Sequence, residues 1–113
     1  MKHVSYNDNS YHAEIDIRPA STGDGIRREM LMYENAPKDP VQLRAQQLFG
    51  TLTAAADIIT LEKDGKPVTL TAAALLDLPG ALTTLWGAYV FEENPHWQFG
   101  ITAAELEALQ KKA

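Results

Sequence analysis

The stretch "LPGALTTLWGAYVFEENPHW", residues 78–97, surrounds one tryptophan and one tyrosine with apolar residues and then breaks. On a helix from Gly80 to Glu93, the apolar side chains form one continuous stripe. Pro95 ends this helix, because a proline disfavours helical geometry at the residue before it. Such a stripe normally faces a core, so the helix is predicted to supply the centre of the fold. The stripe consists of Leu82, Leu85, Trp86, Tyr89 and Val90.

Three other aromatic residues of this region lie off the stripe. Phe91 projects from the opposite side of the helix, among small and uncharged residues. A large aromatic side chain on such a face is typical of protein interfaces, although a second structural layer would cover it equally well. Trp97 and Phe99, after the break, either close over the core or serve as exposed anchors for a partner.

The N-terminal segment is predicted to be a β element spanning residues 1–18. Apolar and polar residues alternate from Tyr11 to Ile17, which is the pattern of a half-buried strand. The preceding "HVSY" can pair with it through the turn-rich "NDNS" to form a hairpin. An edge strand at this position would also favour a homo-oligomer.

The first helix is predicted to begin after Ser21, which forms a capping box with Asp24. Ile26, Met30 and Tyr33 then recur on one side, which predicts the face that packs against the core. Leu31 and Met32 lie off that face and are candidate contacts for a partner, since methionine adapts to varied surfaces, although burial of the helix on two sides would explain them equally well.

A second helix is predicted from Val41 to about Thr60, with Pro40 in its first turn. The alternative is a hairpin in which "DIITL" and "VTL" flank the turn at Asp64-Gly65. We favour the helix because its apolar stripe continues without interruption to Ile59. That stripe consists of Val41, Leu48, Leu52, Ala55 and Ile59.

Two further helix starts complete the predicted fold. Thr71 caps the short segment "AAALLDL", and Thr102 with Glu105 forms a capping box near the C-terminus. We therefore expect a mostly helical α+β fold: an N-terminal strand or hairpin followed by four to five helices around one core. The whole chain, 1–113, is predicted to be one domain, with residues 21–113 as a helical bundle.

Composition excludes several functional classes. The chain has 113 residues and no cysteine, so it contains no disulfide, thiolate metal site or cysteine nucleophile. Ten basic residues against fifteen acidic ones, a net charge of −5, make nucleic acid and anionic membranes poor partners. The N-terminus has no apolar segment like that of a signal peptide, and no apolar run reaches membrane-spanning length. We expect a soluble, cytoplasmic protein.

Candidate chemical motifs are few. His12, Glu14 and Asp16 share one face of a strand, which suits either a metal-dependent enzyme or, more simply, a solvated surface. Arg27 and Arg28 form a small basic spot that could dock an acidic partner, or again a solvated helix face. We predict no catalytic residue, no cofactor and no metal.

Three segments, taken together, resemble a known family. They are "IDIRPASTGDGIRREMLM" from Ile15, "LTAAALLDLPGALTTLWGAYVFEENPHW" from Leu70, and the short polar C-terminal tail. In this order they are similar to the small tail assembly chaperones of long-tailed phages and prophages. The matching positions are mostly fold determinants, and the first twelve residues add nothing to the resemblance.

The resemblance implies a protein-binding role without catalysis, in the bacterial host cytoplasm. Such chaperones coat the tape measure protein and recruit tail tube subunits around it. The alternative is a small acidic prophage-encoded inhibitor or immunity protein, which electrostatic steering would guide to a basic target. The candidate partner-contact residues are Leu31, Met32, Phe91, Trp97, Phe99, Arg27 and Arg28.

Overall fold

The N-terminal segment forms the predicted hairpin. In the computed structural model, which describes residues 1–97, strand β1 (Lys2–Asn7) pairs antiparallel with β2 (Tyr11–Ile17). Asp8 holds the turn, since its Oδ1 accepts hydrogen bonds from the backbone N–H groups of Ser10, at 2.7 Å, and Tyr11, at 2.6 Å. This local side-chain bonding explains why the turn forms at this point.

The predicted helix to about residue 60 is wrong beyond residue 53. Helix α2 is Pro40–Thr53, and the chain then forms strand β3 (Ala56–Lys63), which pairs antiparallel with β2. Strand β4 (Lys66–Pro67) follows a turn in which Asp64 and Gly65 both have positive φ, as a tight hairpin turn requires. The alternative hairpin is therefore present, although its second strand is Lys66–Pro67 rather than the predicted "VTL". The segment after residue 21 is not purely helical.

The fold is a small α+β domain, which confirms the predicted fold class. The sheet order is β1-β2-β3-β4, with all neighbours antiparallel. Within residues 1–97 there are four α-helices, and a 3₁₀ turn (Pro95–Trp97) follows the last. The predicted capping box at Thr102 and Glu105 lies outside the described residues. The other helices are α1 (Thr22–Tyr33), α3 (Ala72–Leu75) and α4 (Gly80–Glu93).

Helix α4 supplies the core, as the opening stretch predicts. Trp86 is fully buried, and Leu82 and Val90 are buried beside it. They belong to one apolar cluster with Val4 and Ile15 of the first two strands. The indole Nε1 of Trp86 has no hydrogen-bond partner among residues 1–97. Apart from this N–H group, the centre of the protein is apolar.

The predicted core face of α1 is wrong. Ile26, Met30 and Tyr33 are more than half exposed, whereas Met32, expected to face away, is 3% exposed. The reason is the close packing of α1 on α2 at Gly50. A Cβ atom at Gly50 would lie 3.0 Å from the Met32 side chain and 3.1 Å from Leu31 Cβ. The side of α1 that carries Met32 thus faces α2, and the three-residue stripe faces solvent.

Asn94 joins the end of α4 to the chain between β2 and α1. Its side chain is almost fully buried, and its Oδ1 accepts a 2.7 Å hydrogen bond from the Ala20 N–H. Its Nδ2 donates to the Arg18 carbonyl at 3.3 Å. A buried amide that is satisfied in this way fixes the position of both segments.

Candidate protein-binding groove

A groove of about 740 Å³ opens between the helices. Helix α2 forms its longest wall, and α1, the segment around α3 and both ends of α4 complete it. Among the described residues that line it there are two arginines and no carboxylate. Its larger apolar side chains are those of Met32, Val41, Leu48, Leu75, Leu76, Leu78 and Phe91.

The α2 wall is a line of residues along one side of the helix. Val41, Arg44, Leu48 and Thr51 recur at intervals of three or four, so they lie one above another over about 15 Å. Val41 is 60% exposed and Leu48 is 38% exposed. Both belong to the stripe predicted to face the core, and for them that prediction is wrong, whereas Leu52 of the same stripe is fully buried as predicted.

Arg28 is held rigidly at one end of the groove. Its Nε donates to Thr51 Oγ1 at 3.1 Å, and its Nη2 donates to the Trp97 carbonyl at 3.2 Å. Its guanidinium carbon lies 4.9 Å from the centroid of a Trp97 ring, within cation–π range. Burial lowers the pKa of Arg28 below its ordinary value, but a guanidinium remains charged at neutral pH.

Arg27 belongs to a different cluster, so the predicted basic spot is divided. Its Nη1 lies 3.6 Å from Asp24 Oδ1 and donates to the Ala54 carbonyl at 3.4 Å. Arg18 binds the same Asp24 oxygen at 3.2 Å and also pairs with Asp57 at 3.3 Å. Hydrogen bonding from the Ser21 backbone, followed by Arg18, lowers the pKa of Asp24. This cluster stabilises the start of α1 and the end of α2.

The other candidate partner-contact residues differ in their burial and in whether they line the groove. Trp97 is 7% exposed and packs with the core, so it closes over the core and is not an exposed anchor for a partner. Met32 is buried and reaches the groove only as part of its floor. Leu31 and Phe91 are half-buried, and Phe91 lines the groove. Phe99 lies outside the described residues.

The outer face of the sheet carries the predicted His12, Glu14 and Asp16, but a different histidine joins the carboxylates. His3 Nδ1 lies 2.7 Å from Asp16 Oδ1, and His3 Nε2 lies 2.9 Å from Glu14 Oε2. These hydrogen bonds, to Asp16 first, raise the pKa of His3, and bonds from Ser5 and then His3 lower the pKa of Glu14. In the described part of the chain, no group of three or more histidine and acidic side chains is arranged to hold a metal ion.

Sequence reasoning missed Arg44 and Leu76 and assigned Val41 and Leu48 to the core. The pattern gave no signal for this, because Val41, Leu48 and the buried Leu52 share one side of α2 at helical spacing. They differ in their position along the helix: Leu52, near its end, packs in the core, whereas Val41, at its start, is 60% exposed.

Comparison with protein-family models, curated protein sequences and solved structures gives no match for this chain. None of the helices within residues 1–97 is long and apolar enough to cross a membrane.

Proposed function

We propose that this protein is a non-enzymatic tail assembly chaperone of a long-tailed phage or prophage. In the bacterial cytoplasm it binds the tape measure protein and recruits tail tube subunits around it. The observation that supports this function best is the groove, because it leaves Val41, Leu48 and Leu76 open to solvent. Apolar surface of this kind is typical of sites that bind other proteins.

A second apolar surface supports the same role. Ile26, Met30 and Tyr33 form an exposed stripe along α1, at helical spacing. A chaperone for a long, aggregation-prone partner gains from having more than one apolar contact, since several weak contacts on one chain reinforce each other. The resemblance of residues 15–32 and 70–97 to the chaperone family points to the same partner.

Co-expression with the tape measure protein encoded by the same genome tests the proposal. We expect the tape measure protein to become soluble and to co-purify with several copies of this chain. A tagged tail tube protein, added to the purified complex, is expected to bind it but not the tape measure protein alone. The proposal fails if the tape measure protein stays insoluble and nothing co-purifies.

The acidic outer face of the sheet favours a second candidate, an inhibitor or immunity protein. Glu14, Asp16, Asp57 and Glu62 lie on strands β2 and β3, and acidic side chains accelerate association with a basic target. Such a protein would form a one-to-one complex with one basic enzyme. Affinity purification from the host separates the two functions, because the inhibitor captures that enzyme and the chaperone captures phage proteins.

A further inference from the structure

We infer that the groove binds an amphipathic helix that carries carboxylates beside its apolar face. The inference deepens the proposed function and rests on it for the identity of the partner, a helical segment of the tape measure protein. We infer the chemistry of the partner from the shape of the groove and from the charged residues that line it.

The shape of the groove suits a helix. The lining residues of α2 run from Val41 to Thr51, a length of about 15 Å or three helical turns. Leu76, beyond α3, is 50% exposed and also lines the groove, so apolar side chains stand on two sides of it. A helix in such a groove inserts apolar residues at i, i+3, i+4 and i+7.

The charges of the groove specify acidic residues on that helix. Arg28 and Arg44 line it, and neither has a carboxylate within 4.0 Å among residues 1–97. Arg28 donates through Nε and Nη2, while its Nη1 has no hydrogen-bond partner in the described part of the chain. Each arginine can therefore donate hydrogen bonds to a carboxylate.

The spacing of the two arginines sets a register for the partner. Arg28 is bonded to Thr51, which lies seven residues after Arg44 on α2, so the two arginines are anchored at points about 10 Å apart along α2. This distance corresponds to two helical turns, so a helix lying along α2 would place acidic residues at i and i+7. The chain has a net charge of −5, and the other arginines described above, Arg18 and Arg27, are paired with Asp24. Charge therefore favours the groove.

Binding of synthetic peptides to the full-length chain tests this inference. One fluorescein-labelled helical peptide carries leucines at i, i+3 and i+4 with glutamates two turns apart. A second peptide has lysines in place of the glutamates. By fluorescence anisotropy we expect the acidic peptide to bind at least about tenfold more tightly, the equivalent of one lost charge pair of about 1.4 kcal/mol.

Three variants locate the binding site. Leu48→Glu, inside the groove, is expected to weaken binding of the acidic peptide by about tenfold or more. Ile59→Glu, at an exposed apolar residue of β3 outside the groove lining, is the matched control and should bind as the wild type does. Arg44→Glu should reverse the preference and bind the lysine peptide better. Unchanged melting temperatures show that all three variants remain folded.

The inference is overturned by any of four results. The two peptides bind equally, or Ile59→Glu weakens binding as much as Leu48→Glu. The chain is a dimer that Leu48→Glu makes monomeric, in which case a second copy occupies the groove. Finally, the wild type binds neither peptide, but replacing Leu106 and Leu109 with lysine restores binding. In that last case the occupant is the chain's own segment 98–113.

Failure of this inference and failure of the proposed function give different results. If the tape measure protein is solubilised equally well by the wild type and by Leu48→Glu, the chaperone function stands and the groove is not its site. If the acidic peptide binds in the groove but the tape measure protein stays insoluble, the docking surface stands and the chaperone function fails.

Discussion

The outer face of the sheet and the helical face with the groove differ in the contacts that their exposed side chains make. On the outer sheet face, polar side chains bond to one another: His3 bridges Glu14 and Asp16, and Ser5 donates to Glu14 at 2.8 Å. On the helical face, apolar side chains stand open around two arginines that have no carboxylate partner within residues 1–97. On the sheet face, these polar groups are hydrogen-bonded to one another. On the helical face, the apolar side chains and the arginines can still bind a partner, and for this reason we propose that the binding site lies there.

The largest effect is expected from removing the core that separates the two faces. Trp86→Ala should lower the free energy of unfolding by about 3–5 kcal/mol, because it leaves a cavity at a fully buried site. Urea denaturation followed by far-ultraviolet circular dichroism measures this loss. Trp86→Phe, which keeps most of the volume, is the control and should cost less. A loss below about 1 kcal/mol for the alanine variant would contradict the central position of Trp86.

A smaller effect is expected at Asn94, which joins α4 to the chain after β2. Asn94→Ala leaves the Ala20 N–H without its acceptor and should lower the free energy of unfolding by about 1–3 kcal/mol. Thr84→Ser, on the exposed side of the same helix, should change it by less than about 0.5 kcal/mol. Denaturant titrations measure the free energy of unfolding of both variants. Equal effects would mean that the buried amide does not hold the two segments together.

In the groove, we expect an effect on surface properties rather than on stability. Leu48→Glu should change the free energy of unfolding by less than about 0.5 kcal/mol, since the residue is already partly exposed. It should, however, reduce the fluorescence of anilinonaphthalene sulfonate, an anionic apolar dye whose chemistry suits a groove lined by arginines. Glu14→Gln on the sheet face serves as the control. If the two variants change dye fluorescence equally, the dye does not distinguish the two faces.

The smallest effect concerns pH and the sheet face alone. The pKa of His3 is raised from its ordinary value of 6.5 in the folded state, so its contribution to stability is fully present below pH 6.5. That contribution is lost as the pH rises through the higher folded-state pKa. His3→Gln should therefore narrow the difference between the melting temperatures at about pH 5.5 and about pH 8.5. Parallel melting curves for the wild type and the variant would exclude this role.

Local signals in the sequence were sufficient for much of the fold. Asp8 and the alternation after it predicted the hairpin, and the caps at Ser21 and Thr71 each accept the expected backbone hydrogen bond. Helix α4 begins and ends where the sequence predicts. These features depend on residues within a few positions of one another, so pattern and capping chemistry determine them.

Features that depend on distant residues were not predictable in this way. The α2 stripe appeared to continue to Ile59, but β3 forms because β2 offers it a pairing partner. The choice of face on α1 depends on the missing side chain at Gly50, which lets Met32 approach α2. The groove itself is an arrangement of several helices, so no single segment carries its pattern.

The fluorescence of the two tryptophans reports separately on the core and on the groove. Trp86 is fully buried among apolar side chains, with no hydrogen-bond partner in the described chain, so we expect it to emit at the blue end of the tryptophan range. Trp97 lies under the charge of Arg28 at the groove, and a carboxylate that binds Arg28 changes the electric field at its ring. Occupation of the groove is therefore expected to alter the Trp97 emission and to leave that of Trp86 unchanged, without any added label.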